Sequence, residues 1–190
     1  MILNKQKYSI VIAPPQAGID YVATLKDELN SAIGWYHSRN AKAHITISEF
    51  TADEDELVKI IANLKEIASY ENPMHLNFEG VGSYSNGAVF LKPDEATKTE
   101  VANLMRRVQK KLSIKNAYHS KDPHISIGRK LTEGNVQIAL KMFADAKLDF
   151  SCDHLVLRKF NPDLKQYEFF SEEFKFIGAE PIPAAQQSLF

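Results

Sequence analysis

The sequence has little of several features that would assign it to a specialised class of protein. Its single cysteine, Cys152, cannot form an internal disulfide, which excludes a disulfide-stapled domain and favours a reducing compartment. No segment approaches the roughly 20 apolar residues of a membrane span, and the apolar run at residues 10–13 is too short for a signal-peptide core. We therefore expect a cytoplasmic protein that does not enter a membrane.

An excess of one charge is also absent, and glycine and proline are few. The 23 basic and 24 acidic residues give a net charge of −1, so the chain has no overall field for a long polyanion, and any nucleic-acid contact must be local. With 190 residues, 44% of them hydrophobic, the chain can bury a real core. We predict one two-lobed domain over residues 1–178 and an irregular tail at 179–190; no protein partner is implied, and we expect a monomer.

Hydrophobic periodicity predicts strands and helices in alternation. Thr51 and Glu54 form a capping-box pattern that predicts the start of the second helix. Asn161-Pro162-Asp163 predicts a hairpin turn between the last two alternating segments, at 150–160 and 167–176. The other predicted strands are 8–13, 43–50, 88–91 and 124–129, and the predicted helices are 19–32, 51–70, 94–112 and 132–146.

The chain contains an internal repeat with an offset of 80 residues, with halves at roughly 1–80 and 81–160 and a final strand to residue 176. The offset aligns the first strand, residues 8–12, with residues 88–92, and it aligns the following helices without a gap. It also superimposes His44 on His124. A strand–helix–strand unit that occurs twice predicts two equivalent strands on either side of a central cleft.

Each of the two equivalent strands carries the pattern His, apolar, hydroxyl, apolar. These motifs are His44-Ile45-Thr46-Ile47 and His124-Ile125-Ser126-Ile127. Because side chains alternate along a strand, imidazole and hydroxyl share one face roughly 6 to 7 Å apart, while the isoleucines enter the core. Two such strands could hold a tetrahedral phosphate between them, with one imidazole on each side.

These residues resemble the two-histidine phosphoesterase superfamily, which includes bacterial 2′-5′ RNA ligase and RNA 2′,3′-cyclic phosphodiesterase proteins. The resemblance rests on the paired motifs, their separation, the opening strand YSIVIAPP, and GVGSY followed by VFLKP. Pro123 before the second motif and Gly128-Arg129 after it also fit the family pattern. The first motif departs from it, since Ser48-Glu49-Phe50 stands where ligase-like members carry a Lys-Phe-Leu-like run, and Ser126 replaces the commoner threonine.

The resemblance implies an α+β fold of two lobes, with antiparallel sheets lining the cleft and helices outside. It implies a metal-independent phosphoesterase without a cofactor, which acts on a nucleotide or an RNA terminus and in which His44 is the acid and His124 the base. Thr46 and Ser126 would bind the non-bridging phosphate oxygens. Arg129 matches the arginine that often ends the second motif, but strict alternation turns it away from His124, so a bulge is needed to bring it to the phosphate.

Other basic and aromatic residues have two interpretations. The cations between Arg106 and Lys121 could attract an RNA end or form the solvated face of a helix. Tyr36 and Tyr118, each followed by a histidine, could stack on a base or lie in surface loops. Trp35, next to Gly34, is interpreted as packing at a helix end.

Two other classes of function remain open. A metal-dependent hydrolase could use both histidines with Glu49 or Asp122, although no third ligand recurs at the repeat offset. A noncatalytic module that binds RNA or nucleotides would need cations but not two titratable imidazoles. Within the enzyme class, RNA 2′,3′-cyclic ends, 2′-5′-linked oligonucleotides and small cyclic phosphates all remain candidate substrates.

Overall fold

The computed structural model describes residues 5–180, except for the side chains of residues 171–173. Residues 181–190, most of the predicted irregular tail, lie outside the described residues. The described chain forms four helices, which are α1 (Gln16–Ile33), α2 (Glu54–Tyr70), α3 (Glu95–Leu112) and α4 (Glu133–Met142). It forms nine strands, which are β1 (Gln6–Ile12), β2 (Ile45–Ala52), β3 (Met74–Tyr84), β4 (Ala88–Pro93), β5 (Tyr118–His119), β6 (Ile125–Gly128), β7 (Lys147–Cys152), β8 (His154–Asn161) and β9 (Gln166–Lys175).

The strands form two sheets in which every pairing is antiparallel, which confirms the predicted α+β class. The first sheet has the order β5-β2-β1-β8-β9, and the second has the order β6-β4-β3-β7.

None of the helices in the described part of the chain combines the length and apolarity that crossing a bilayer requires.

The sequence repeat appears in the sheets as an exchange of strands. The repeat offset aligns β1 with β4, β2 with β6, and the start of β3 with the start of β8. Strand β1 lies between β2 and β8, and β4 lies between β6 and β3. Each half of the sequence therefore gives its third strand to the sheet that the other half begins, so neither sheet is built from one half alone.

The bounds of three helices differ from the prediction, since α1 begins at Gln16 rather than residue 19, α2 begins at Glu54 rather than residue 51, and α4 ends at Met142 rather than residue 146. Strand β2 continues to Ala52, which pairs with Gln6, so the predicted cap at Thr51 is wrong. The capping box lies two residues later, where the Asp53 carboxylate accepts from the Glu56 amide and Glu56 accepts from the Asp53 amide. The Asp94 and Thr132 side chains cap α3 and α4 by accepting from the Thr97 and Asn135 amides.

The predicted segment at 150–160 is two strands in different sheets. Strand β7 pairs with β3, whereas β8 pairs with β1 and β9, and the chain crosses between the sheets at Asp153. The pattern of residue types continues through the crossing, because both strands have a buried face. The predicted hairpin at Asn161-Pro162-Asp163 is confirmed, since Asn161 pairs with Gln166 across the turn. Cys152, at the end of β7, is buried and forms no disulfide.

Candidate active site

The two histidine motifs lie at the beginning of β2 and β6. His44 and His124 each stand one residue before the strand, and the isoleucines that follow are fully buried between the sheets and the helices. The four motif isoleucines, Ile45, Ile47, Ile125 and Ile127, all have zero exposure. Thr46 and Ser126 are half-buried and lie on the opposite face of their strands. The predicted division into an apolar and a polar face is therefore confirmed.

Both motif strands contain a register irregularity at the equivalent residue. Ile10 and Val11 are adjacent in β1 and pair with Ser48 and Thr46 of β2, so Ile47 is the extra residue. Val89 and Phe90 are adjacent in β4 and pair with Gly128 and Ser126 of β6, so Ile127 is the extra residue there. An extra residue shifts the alternation of side chains in the rest of the strand.

This shift brings the residues after the motifs back to the polar side. Ile47 and Ser48 are both buried, as are Ile127 and Gly128, and the next positions, Glu49 and Arg129, line the same cleft. The bulge that Arg129 needs is thus present. Glu49 is the repeat equivalent of Arg129, so one half supplies a carboxylate where the other half supplies a guanidinium.

The two imidazoles are oriented by the same backbone contact. Nδ1 of His44 lies 2.6 Å from the Lys42 carbonyl oxygen, and Nδ1 of His124 lies 2.9 Å from the Asp122 carbonyl oxygen. A carbonyl only accepts, so Nδ1 carries the hydrogen in each ring and Nε2 is the atom that can gain or lose a proton. The two contacts are related by the repeat offset.

Hydrogen bonds also join the two motif regions to each other. The Ser120 amide, four residues before His124, donates to the Ile47 carbonyl oxygen at 3.0 Å. The Gln109 side-chain amide donates to the same Ile47 oxygen at 3.0 Å and to the Ser120 carbonyl oxygen at 2.7 Å. The loop that leads into the second motif is therefore attached to the strand of the first.

A cleft of about 660 Å³ runs along one side of this arrangement. It brings together His44 from the first motif and Ser126 and Arg129 from the second. Thr46 and His124 belong to the same two motifs and are half-buried, but they are not part of its lining.

His124 lies between residues of this cleft and residues of a second cavity. Its ring packs against Phe90 at 5.1 Å and edge-on to Tyr84 at 5.5 Å, measured between centroids. Phe90, Asp122 and Pro123 line a cavity of about 450 Å³, while Ser126, two residues on, lines the larger cleft. Residues that contact His124 or lie close to it in the sequence thus line both cavities.

Positive charge is concentrated in the larger cleft although the chain as a whole is slightly negative. Among its lining residues in the described chain, Glu49 is the one acid. The lining cations are Lys26, Arg39, Lys42, Arg129, Lys130, Arg158 and Lys165. Such a cleft attracts an anion of limited size, which agrees with the local nucleic-acid contact expected from composition.

Burial, and to a smaller extent this charge, lowers the pKa of both imidazoles. Burial is the main cause for His44, followed by Arg158, with smaller contributions from Arg129 and Lys26, and together they hold its pKa well below 6.5. Burial also lowers the pKa of His124, with Arg129 as a further cause, while the charge of Asp122 opposes this. Arg129 is therefore close enough to act on both rings.

Sequence reasoning missed two cations of the cleft, the buried Lys26 and the half-buried Arg158. Lys26 belongs to the buried face of α1, where burial and then Arg129 lower its pKa to about 8. Arg158, in β8, donates to the Ser9 hydroxyl at 3.2 Å and lies over the Tyr167 ring, and burial lowers its pKa to about 10. A lysine among the apolar positions of a helix and an arginine inside an apolar strand were the available signals.

The basic stretch between Arg106 and Lys121 does not line the cleft. Arg107 forms a bidentate pair with Glu71, and Lys111 pairs with Glu66, both on or beside α2. These contacts favour the interpretation that the basic stretch forms the solvated face of a helix.

The aromatic residues before the first motif exchange their expected roles. Tyr36, a candidate for stacking, is buried and donates to the Lys26 carbonyl oxygen at 3.2 Å. Trp35, interpreted as packing, is 70% exposed and lines the cleft, so that interpretation is wrong. Tyr118 is exposed and lies outside the lining.

A candidate metal centre is not found in the described residues. Residues 5–180 contain no group of three or more histidine, cysteine, aspartate or glutamate side chains placed to hold an ion. Asp122, one of the possible ligands, is engaged by the Tyr84 hydroxyl, which donates to its carboxylate.

Comparison with known proteins agrees with this architecture. No curated protein sequence matches the chain. The fold is similar to that of Escherichia coli LigT in complex with 3′-AMP, with a TM-score of 0.70 and 12% identity over 91% of this chain and 99% of that one. It is also similar to TT0787 of Thermus thermophilus, with a TM-score of 0.61 and 17% identity over 92% of this chain and 100% of that one. The sequence profile described as the 2′-5′ RNA ligase superfamily matches residues 14–163, and the chain belongs to this superfamily.

Proposed function

We propose that this protein is a metal-independent phosphoesterase that opens 2′,3′-cyclic phosphates or cleaves 2′-5′ linkages at nucleotide or RNA ends. The observation that carries the proposal is the meeting of both motifs at one cationic cleft. His44 of the first motif and Ser126 and Arg129 of the second line it together. Binding alone would need the cations, but it would not need two imidazoles that each keep Nε2 available through the same backbone contact.

The reaction follows from two imidazoles in opposite protonation states. One neutral imidazole takes a proton from water as the water oxygen attacks phosphorus, and the protonated imidazole gives its proton to the departing ribose oxygen as the P–O bond breaks. We assign His44 as the acid and His124 as the base. In the free protein the cations oppose protonation of His44, so this assignment requires the phosphate anion to favour the protonated ring once it is bound.

The hydroxyl groups and Arg129 have a separate task in this proposal. Negative charge builds up on the non-bridging oxygens in the pentacovalent transition state, and fixed donors stabilise it there. Thr46 and Ser126 donate one hydrogen bond each, and the Arg129 guanidinium offers a planar pair of donors. Ligation is the reverse of the same step, and we expect hydrolysis to dominate in water.

Solved relatives support a nucleotide as the ligand. LigT has been solved with 3′-AMP and, separately, with phosphate, both of which contain the group that the cleft is proposed to hold. The low identity transfers only the fold, and therefore the substrate of this chain needs its own experiment.

The experiment is a product assay on a panel of nucleoside 2′,3′-cyclic phosphates and 2′-5′ dinucleotides, with and without chelator. We expect turnover that chelator does not reduce and a single phosphomonoester product, whose 2′ or 3′ position identifies the bond broken. Loss of activity in chelator that one added metal restores would favour the metal-dependent hydrolase. Binding without turnover on the whole panel would favour a noncatalytic nucleotide-binding module.

A further inference from the structure

The loop between α1 and β2, residues 34–43, presents an aromatic ring to solvent at the cleft. Trp35 follows Gly34, whose φ of 78° ends the helix with a turn that favours glycine. Its indole is 70% exposed and contacts the His37 ring edge-on at 5.1 Å between centroids. Trp35 lines the same cleft as His44. A large apolar ring left in water beside a cationic cleft needs an explanation other than packing.

Loose loop structure does not explain this exposure, because the Gly34 amide before Trp35 donates to the Asn30 carbonyl oxygen and the loop after Trp35 is bonded to α1. Tyr36 is buried and its hydroxyl donates to the Lys26 carbonyl oxygen. The Lys26 ammonium, itself buried, donates to the Ser38 carbonyl oxygen at 3.3 Å and to the Ala41 carbonyl oxygen at 2.5 Å. The fold therefore fixes the backbone around an indole that it leaves uncovered.

Polar groups without partners belong to residues that line the same cleft as the indole. In the described residues, three buried side-chain polar atoms have no hydrogen-bond partner, and all three belong to residues of this cleft. They are Ser38 Oγ, Arg39 Nε and Arg158 Nε. Buried polar groups are normally satisfied, so their concentration at one place indicates a polar ligand that small side-chain rotations could reach.

The ligand must then combine a flat apolar face, a hydrogen-bonding edge and negative charge. A nucleobase supplies the first two, and the phosphate attached to its ribose supplies the third. Lys42 and Lys130 also line the cleft, which suits an anionic group joined to the base. We propose that Trp35 is the stacking platform for a nucleobase of the substrate, with Ser38 and Arg39 beside it to contact the edge of that base. The proposal rests on the function proposed above.

Trp35 is the only tryptophan of the chain, so its fluorescence reports on this platform directly. The experiment titrates the full protein with 3′-AMP, ribose 5-phosphate and inorganic phosphate. We expect saturable quenching by 3′-AMP and no quenching by the two ligands that lack a base. By calorimetry, Trp35→Ala should weaken 3′-AMP binding roughly 5- to 150-fold, the range for loss of one base–aromatic stack, and Trp35→Phe should recover part of the loss.

The matched control is Phe169→Ala, which removes another exposed aromatic ring that does not line the cleft. This variant should bind 3′-AMP and show quenching like the wild type. Failure of 3′-AMP to bind, binding without quenching, or unchanged affinity in Trp35→Ala would each overturn the platform. Turnover without quenching would contradict the stacking role of Trp35 and support the phosphoesterase activity. Quenching without turnover would support the stacking role and contradict the phosphoesterase activity.

Discussion

The two histidine motifs keep the same backbone contact but lie in different surroundings. Before His44, the loop carbonyls are held by the buried ammonium of Lys26, and Arg158 stands close to the ring. Before His124, the corresponding loop is held by the neutral amide of Gln109, and the ring packs against aromatic side chains. Arg129 acts on both rings, but the further charges differ: Arg158 and Lys26 act on His44, whereas the opposing charge of Asp122 acts on His124.

This comparison shows how a repeated unit can serve an asymmetric reaction. The strand, its bulge and the carbonyl contact set the position and tautomer of each ring, and these are the features that both halves share. Acid–base catalysis needs two imidazoles that differ in protonation, and a perfect repeat would give both the same pKa. The difference enters through residues outside the motifs.

Removal of either imidazole should have the largest effect and tests whether the halves are equally necessary. His44→Ala and His124→Ala should each reduce kcat for a nucleoside 2′,3′-cyclic phosphate by roughly 10²- to 10⁴-fold, because each removes one proton transfer. The double variant should lose little more than the worse single variant, since the two groups act as a unit. Steady-state kinetics on folded variants, verified by circular dichroism, provides the measurement. Wild-type kcat in either single variant would show that the halves do not share one reaction.

Removal of the hydroxyls should have a smaller effect and should differ between the halves. Ser126→Ala should reduce kcat roughly 10- to 1000-fold, and Thr46→Val should fall in the lower part of that range, because Ser126 lines the cleft and Thr46 does not. The matched control is Ser126→Thr, which keeps the donor and should keep most of the activity. A greater loss in Thr46→Val than in Ser126→Ala would reverse this order of the two halves.

The pH dependence should reveal the unequal electrostatics. Both imidazole pKa values are lowered in the free protein, so the bell-shaped profile of kcat/KM should have its maximum below pH 6.5. Arg158 is a cause of the pKa shift of His44 and not of His124. The more strongly lowered pKa, that of His44, sets the acidic limb of the profile, whichever ring is the acid. Arg158→Gln should therefore raise the pKa of His44 alone and move the acidic limb to higher pH. Equal movement of both limbs, or a maximum above pH 6.5 in the wild type, would contradict the asymmetry.

The smallest effect concerns stability. The pKa of each buried imidazole is lower in the folded state than in the unfolded state, so below pH 6.5 the unfolded chain binds more protons than the folded one. Stability contributed by the neutral rings is therefore complete above pH 6.5 and is lost as pH falls through the folded-state values. Thermal unfolding between pH 7 and pH 5 should show a declining Tm in the wild type. The decline should be weaker in both alanine variants, and more so in His44→Ala, whose ring has the larger shift; identical slopes in all three proteins would refute this.

Much of the site was present in the sequence because it depends on local pattern. The alternation in His44-Ile45-Thr46-Ile47, together with its copy at the repeat offset, determined which side chains face the core and which face the polar side. Strand periodicity depends only on the alternation of side chains between the two faces of one strand, and both motifs follow this alternation as far as the bulge. The four helices were predicted for the same reason, although the starts of α1 and α2 and the end of α4 lie three or four residues from the predicted positions.

Other features depended on contacts between distant segments, and only the tertiary structure could decide them. The return of Arg129 to the cleft required a bulge that pairing with β4 creates, and the division of residues 147–161 into β7 and β8 required two different partner strands. Arg158 reaches the cleft because β8 crosses to the first sheet beside β1. The sequence by itself determined the two histidines and their hydroxyls, whereas the charge that separates their pKa values comes from residues far apart in the chain, because an electrostatic field depends on distance in space.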